Sequence, residues 1–270
     1  MSARVGVVGW PVAHSRSPAI FAHWFAHYGI EATYEVIPVS PDDAERFFAD
    51  FAGSPYRGVN VTIPHKTTAF AHVKADAAAS AMGAVNTLWR DGTVICGTSS
   101  DGDGFLASLD QGAPGWDDHA GPAVILGAGG AARSIVHALV AKGRPVIVAN
   151  RSADKANALA VASGAKAIAL AHLGDALAEA SVFVNATSLG MEGEPPLTVD
   201  LSPMQANTVV ADIVYVPLET PLLAQAKAKG LRPVDGLGML LHQATVGFER
   251  WFGLFPAVDD TLRQMVAATL

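Results

Sequence analysis

The chain has a single cysteine, Cys96, among 270 residues, which excludes an internal disulfide and any cysteine-rich zinc site. On a strand-like stretch it reads as a small buried apolar residue. Positive charge is scarce too: 18 Lys and Arg against 25 Asp and Glu leave a net charge of -7, with no basic footprint for nucleic acid. No apolar run approaches the roughly 20 residues of a membrane-spanning helix. The N-terminus runs directly into Arg4-Val5-Gly6-Val7-Val8-Gly9, a strand pattern rather than a signal peptide, so the expectation is a cytoplasmic protein. Metal-ligand patterns are missing as well. His23 and His27 lie four apart on one predicted helix, but no Glu stands between them and no third ligand accompanies them, so no metal is expected.

What is present is alternation. Strand patterns at 4–9, 32–39 and 57–63 interleave with helical patterns at 18–28 and 42–52, and a hairpin across 84–98 turns at Asp91-Gly92. That order argues for an α/β unit with a mostly parallel sheet. The helix at 18–28 carries Ile20, Phe21, Trp24, Phe25 and Tyr28 at helical spacing, an apolar stripe of core type. Residues 110–122, rich in Gly, Pro and Asp, read as a connection. Beyond them, helices at 153–163, 173–180 and 220–229 alternate with strands at 166–170, 181–186 and 208–214. A last helix, 237–251, carries Leu237, Leu240, Leu241, Ala244, Phe248 and Trp251 on one side, and Gly236, Met239 and Gln243 fall together on another. It is expected to return to the first domain.

The sharpest local signal is Val124-Ile-Leu-Gly-Ala-Gly-Gly-Ala-Ala-Arg133. A short apolar strand runs into Gly127, and a helix opens at once. Gly127 permits the tight turn, Gly129 lets backbone approach a pyrophosphate, and Ala132 is small enough for close helix packing. The amide hydrogens of Ala128, Gly129, Gly130 and Ala131 at the helix start suit phosphate oxygens. The helix ends at Lys142-Gly143 and Pro145–Ala149 forms the next strand, which is the context a dinucleotide motif requires. At the end of that strand, where an NAD enzyme places Asp or Glu for the ribose, stand Asn150 and Arg151, followed by Ser152 and Lys155. Two cations and two hydrogen-bonding side chains favour a 2′-phosphorylated adenosine, hence NADP(H).

A second set of polar groups lies at predicted strand ends: Ser15-Arg16-Ser17-Pro18, Asn60-Val61-Thr62-Ile63-Pro64-His65-Lys66, Asn86-Thr87 and Asp101. Ser17-Pro18 also reads as an N-cap followed by proline at the first helical position. Hydroxyls, amides, one lysine and one aspartate together suit a small polyhydroxylated carboxylate. Hydride delivery to a ketone builds negative charge on oxygen, so a proton donor must stand beside it. Lys66 is the candidate, with a carboxylate to orient it, and His65 is the rival acid.

These residues carry a family resemblance. The segments G-W-P-V-A-H-S-R-S-P at 9–18, N-V-T-I-P-H-K at 60–66, G-A-V-N-T at 83–87, G-A-G-G-A-A-R at 127–133, N-R-S at 150–152, N-A-T-S-L-G-M at 185–191, D-I-V-Y-V-P at 212–217 and D-G-L-G-M-L-L-H-Q at 235–243 resemble the shikimate dehydrogenase family over nearly the whole chain. The resemblance implies a two-domain α/β protein: an N-terminal α/β substrate domain, residues 1–102 with 237–270 returning, and a Rossmann-type NADP-binding domain, residues 103–236. It implies reversible reduction of 3-dehydroshikimate to shikimate by NADPH, as in aromatic amino acid biosynthesis, by a monomer or homodimer. Lys66 and Asp101 would form the catalytic pair. Ser15 and Ser17 would bind the carboxylate, and Asn60, Thr62, Asn86, Tyr215 and Gln243 the rest of the substrate. Thr187, Ser188, Met191, Ile213, Gly236 and Met239 would join the cofactor site. Two departures leave quinate or a related analogue open as substrate. Ser99 stands where the family commonly has Asn, and Phe21-Ala22 where it has His-Asn.

Overall fold

A computed structural model describes residues 2–270. In chain order the elements are β1 (Ala3–Gly9), α1 (Ser17–Tyr28), β2 (Ala32–Pro38), α2 (Pro41–Ala49), β3 (Gly58–Val61), α3 (Lys66–Phe70), β4 (Lys74–Ala75), α4 (Ala77–Met82), β5 (Thr87–Asp91) and β6 (Val94–Thr98). There follow α5 (Asp101–Gly112), β7 (Ala123–Leu126), α6 (Gly130–Ala141), β8 (Val146–Ala149), α7 (Ala153–Ser163), β9 (Lys166–Ile168), α8 (Leu173–Glu179), β10 (Val182–Asn185), β11 (Val209–Asp212), α9 (Pro221–Ala228), β12 (Arg232–Val234), α10 (Gly236–Phe252) and α11 (Asp260–Ala267). They form two compact units. One holds the chain up to Ser100 together with Gln243–Thr269, and the other holds Asp101–His242.

The first unit is built on a six-stranded sheet of order β2-β1-β3-β5-β6-β4. Its β2-β1-β3 and β6-β4 pairs are parallel, and β5 runs antiparallel to both of its neighbours, β3 and its hairpin partner β6. The hairpin turns at Gly92, whose positive φ of 60° is cheap only for glycine. One core cluster joins Val8, Val59, Val61 and Leu88 to Phe48 of α2, Ala69 of α3 and Ala79 of α4. The predicted stripe on α1 is core as expected: Phe21 and Trp24 pack on Phe248, and Phe21 on Trp251, the last two from α10. Trp251 donates its indole N–H to the Leu88 carbonyl at 2.9 Å, and its ring fills the place a side chain on Gly58 would need. Burying rings of this size contributes about 1.5–3 kcal/mol each.

The second unit is a six-stranded, all-parallel sheet of order β12-β11-β10-β7-β8-β9. Numbering its strands from β7 and reading from the β9 edge gives 3-2-1-4-5-6, the doubly wound dinucleotide-binding order. β7, β10 and β11 are buried at every residue, because helices cover both faces of the sheet. The α/β expectation holds, and the missed elements have local reasons. Residues 110–122 are only partly connection, since α5 runs to Gly112. Its opening Asp-Gly-Asp-Gly has poor helix propensity. Gly102 is there for packing: a side chain would come within 2.8 Å of Ser134 O and Ala138 Cβ of α6. β12 is a three-residue edge strand containing Pro233, which is where a sheet tolerates proline.

Candidate active site

In the first unit the sheet register sets up a row of polar side chains. Asn60 pairs with Val7 of β1 on one side and with Thr87 of β5 on the other, while Tyr34 of β2 pairs with Val5. The side-chain period of two therefore puts Tyr34, Asn60 and Thr87 on one face. Tyr34 Oη donates to Asn60 Oδ1 at 2.8 Å, and Asn60 Nδ2 donates to Thr87 Oγ1 at 3.1 Å and to the Asn86 carbonyl at 3.3 Å. Thr87 Oγ1 donates to Asn86 Oδ1 at 3.2 Å. That oxygen also accepts from Ser100 N at 2.9 Å, and Asn86 Nδ2 donates to Gln243 Oε1 at 3.2 Å. Ser100 Oγ lies 3.1 Å from Asn86 Oδ1 and 2.9 Å from the Gln243 carbonyl.

Because a backbone N–H can only donate, Ser100 fixes which end of the Asn86 amide faces inward. At the other end of the row Ser17 hydrogen-bonds the Tyr34 phenol, whose ring stacks on Phe21 with centroids 4.2 Å apart. Burial pushes the Tyr34 hydroxyl well above its ordinary pKa. Thr87 was named among the strand-end polar groups without a role of its own, and Tyr34 and Ser100 were not expected at the site.

Ser17 is one residue inside the helix rather than its cap. Arg16 holds the N-cap position and makes no side-chain bond there. Ser15 Oγ accepts from Ser17 N at 3.3 Å, so the two serines sit together at the start of α1. Thr62 continues β3 by donating its N–H to the Val8 carbonyl at 2.9 Å. A side chain at Gly9 would collide with it. Lys66 is the first residue of α3, half-buried, and its carbonyl accepts from Val85 N at 3.0 Å, next to Asn86.

His65 cannot serve as the rival acid. It is 1% exposed, and its Nε2 lies 2.7 Å from the Val39 carbonyl, which only accepts, so that nitrogen keeps its proton. The ring edge rests on Phe48.

The second unit carries Asp101 as the first residue of α5, buried, where a carboxylate complements the helix dipole. At the end of β7, Gly127 has φ of 122°, and a side chain there would come within 2.7 Å of the Ala186 carbonyl beyond β10. β7 and β10 flank the topological switch point, where doubly wound sheets bind ligands. Gly129 caps α6 in extended conformation, and side chains at Gly129 or Gly130 would meet nothing within 4 Å. Open ground over the N–H groups of a helix start fits a pyrophosphate. Ala128 and Ala131 are half-buried at the same turn, and Ala132 is fully buried against the core.

After β8, Asn150 Nδ2 donates to the Ser152 carbonyl at 3.0 Å, shaping the loop. Arg151 and Lys155 are exposed, and Ser152 caps α7 without using its hydroxyl there. Gly236, at the start of α10, is pressed against the Ile213 carbonyl, leaving no room for a side chain. Thr187, Ser188 and Met191 lie on the loop after β10, and Ile213 and Tyr215 on the loop after β11. Met239 packs at the border of the core.

A buried carboxylate joins those two loops. Asp212, 2% exposed, accepts from Asn185 Nδ2 at 2.9 Å, Val214 N at 3.0 Å and Thr220 Oγ1 at 2.7 Å. Asn185 Nδ2 also donates to the Leu189 carbonyl at 3.0 Å, and its Oδ1 accepts from Thr187 N at 3.1 Å and Thr187 Oγ1 at 2.7 Å. Burial pushes the Asp212 carboxyl up, and the three donors partly offset this.

Comparison with known proteins agrees with both halves. Residues 7–88 match the shikimate dehydrogenase substrate binding domain, and residues 117–192 match the shikimate / quinate 5-dehydrogenase family. A shikimate dehydrogenase (NADP(+)) from Azorhizobium caulinodans is 51% identical over 99% of this chain and 96% of its own. The chain belongs to the shikimate dehydrogenase family. Among solved structures, the Thermus thermophilus shikimate 5-dehydrogenase in complex with NADP(H) and shikimate superposes with a TM-score of 0.89 at 35% identity, covering 99% of this chain and all of the other. A quinate dehydrogenase from Corynebacterium glutamicum in complex with NAD reaches the same TM-score at 29% identity, covering 99% of each chain.

In this shikimate dehydrogenase family member the first match contains Ser15 to Asn86, and the second contains the cradle through Met191. Among the described residues no helix is long and apolar enough to cross a membrane, and no group of His, Cys, Asp or Glu is arranged to hold a metal.

Proposed function

We propose that the chain is an NADP-dependent shikimate dehydrogenase, reversibly reducing 3-dehydroshikimate to shikimate in aromatic amino acid biosynthesis. The observation that carries this reading is the polar row from Ser17 to Gln243, whose members fix one another's orientation within the unit that matches the substrate binding domain. The first unit is assigned to substrate and the second to cofactor. Ser15 and Ser17 take the carboxylate; Thr62, Asn86, Tyr215 and Gln243 hold the ring and its hydroxyls. Asn60 was expected to touch substrate, but both amide hydrogens and the carbonyl oxygen are engaged inside the row. We assign it to holding Tyr34 and Thr87.

Gly127, Ala128, Gly129, Gly130 and Ala131 cradle the pyrophosphate, and Asn150, Arg151, Ser152 and Lys155 hold the 2′-phosphorylated ribose. Thr187, Ser188, Met191, Ile213, Gly236 and Met239 take the nicotinamide end. NADPH held there supplies the hydride. Lys66 gives a proton to the carbonyl oxygen as negative charge builds on it, and in the reverse direction it takes that proton back. Asp101 is the carboxylate assigned to orient the ammonium. A cytoplasmic monomer or homodimer goes with this reading.

The likeness to a quinate dehydrogenase favours quinate as the second reading. Steady-state assays with both acids separate the two: kcat/KM is expected to be higher for shikimate, and higher quinate turnover would overturn the assignment.

A further inference from the structure

Asp212 and Asn185 belong to no assigned role, yet the two loops that carry Thr187, Ser188, Met191, Ile213 and Tyr215 meet through them. Asn185 ends β10 and Asp212 ends β11, in register beside each other. The hydrogen-bond polarity is fully determined. The Leu189 carbonyl can only accept, so the Asn185 NH2 group faces it and Asp212; the Asn185 oxygen is left for Thr187. Asp212 Oδ1 in turn holds Val214 N, one residue before Tyr215, and Oδ2 holds Thr220, which caps α9 through Leu223 N at 3.3 Å. No cation is among the groups bonded to this carboxylate. Burying a carboxylate with neutral donors alone costs stability compared with an apolar pair, so what the arrangement secures is geometry.

We propose that Asp212 is a positioning residue, fixing the 186–191 and 213–217 loops to each other through Asn185 and so setting the nicotinamide end of the cofactor site and Tyr215. This rests on the function assigned above. The test is Asp212→Ala, with Asp212→Asn as the conservative control because its carbonyl still accepts from Asn185 and Val214. NADPH affinity is read by fluorescence titration, and kcat with shikimate is measured well below the melting temperature.

The expected result for Asp212→Ala is NADPH binding weakened about tenfold or more, the effect of losing a hydrogen-bonded charged group, with kcat reduced and Asp212→Asn recovering most of both. Wild-type affinity and kcat in a folded Asp212→Ala protein would overturn the proposal, leaving Asp212 a purely structural group. Should Asp212→Ala not fold, Asn185→Ala removes the link between the loops, together with the Asn185 bonds to Thr187 and Leu189, while Asp212 keeps Val214 and Thr220, and the same loss or its absence decides the matter. The fluorescence titration needs no substrate. If the wild type fails to oxidise shikimate, the functional reading fails while the role of Asp212 is still measured.

Discussion

Exchanging Gln243 for glutamate probes the donor end of one side chain at the site. Ser100 N–H pins Asn86 Oδ1, so Asn86 Nδ2 faces Gln243 Oε1, and Gln243 offers its NH2 end as a donor. Gln243→Glu keeps an acceptor opposite Asn86 and strengthens that bond by charge, while deleting the donor and placing an anion near the bound acid. Losing a neutral bond costs about 0.5–1.5 kcal/mol and a bond to a charged group about 1.5–3 kcal/mol. The expected effect is a shikimate KM raised about 10- to 100-fold, from the upper part of that range at 1.4 kcal/mol per factor of ten. NADPH affinity should be unchanged. Steady-state kinetics and a fluorescence titration read the two quantities. An unchanged KM would remove Gln243 from the substrate site.

Other expectations follow from single groups. Arg151→Ala is expected to lower kcat/KM for NADP by about 10- to 100-fold, the worth of one or two charge-assisted bonds, while leaving NAD nearly unaffected; equal losses would mean that Arg151 does not read the 2′-phosphate. Lys66→Ala should remove most of kcat with little change in KM. His65→Ala, by contrast, should leave the proton transfer in place but lower stability by about 2–3 kcal/mol, through a lost buried ring and an orphaned carbonyl.

His137 has a buried Nε2 with no partner, and burial lowers its pKa. Its neutral form is favoured in the fold, so its contribution is fully present above the unfolded value of 6.5 and is lost as pH falls toward the lowered one. His137→Leu should raise the melting temperature, and by more at pH 5 than at pH 8; a pH-independent difference would contradict this.

The dinucleotide cradle was legible because its strand, turn and helix follow one another directly in the chain, although the contact of Gly127 with the Ala186 carbonyl was not. The substrate side was legible only as residue types at strand ends. Tyr34 and Asn60 are 26 residues apart, as are Asn60 and Asn86, and they meet through strand register. Register follows from tertiary packing and left no local mark on Tyr34 or Ser100. The same holds for Asn185 and Asp212, 27 apart: both stand in quoted motifs, but nothing in the sequence says that they bond. Short helices such as α3, five residues long, lack a full apolar period and escape pattern reading altogether.

The most direct measurement of what this chain does is kcat/KM for shikimate and quinate, each with NADP and with NAD, followed by reduced-cofactor absorbance. Shikimate with NADP is expected to be the best of the four pairs. A preference for quinate, a preference for NAD, or tight NADPH binding without turnover of either acid would contradict the assignment.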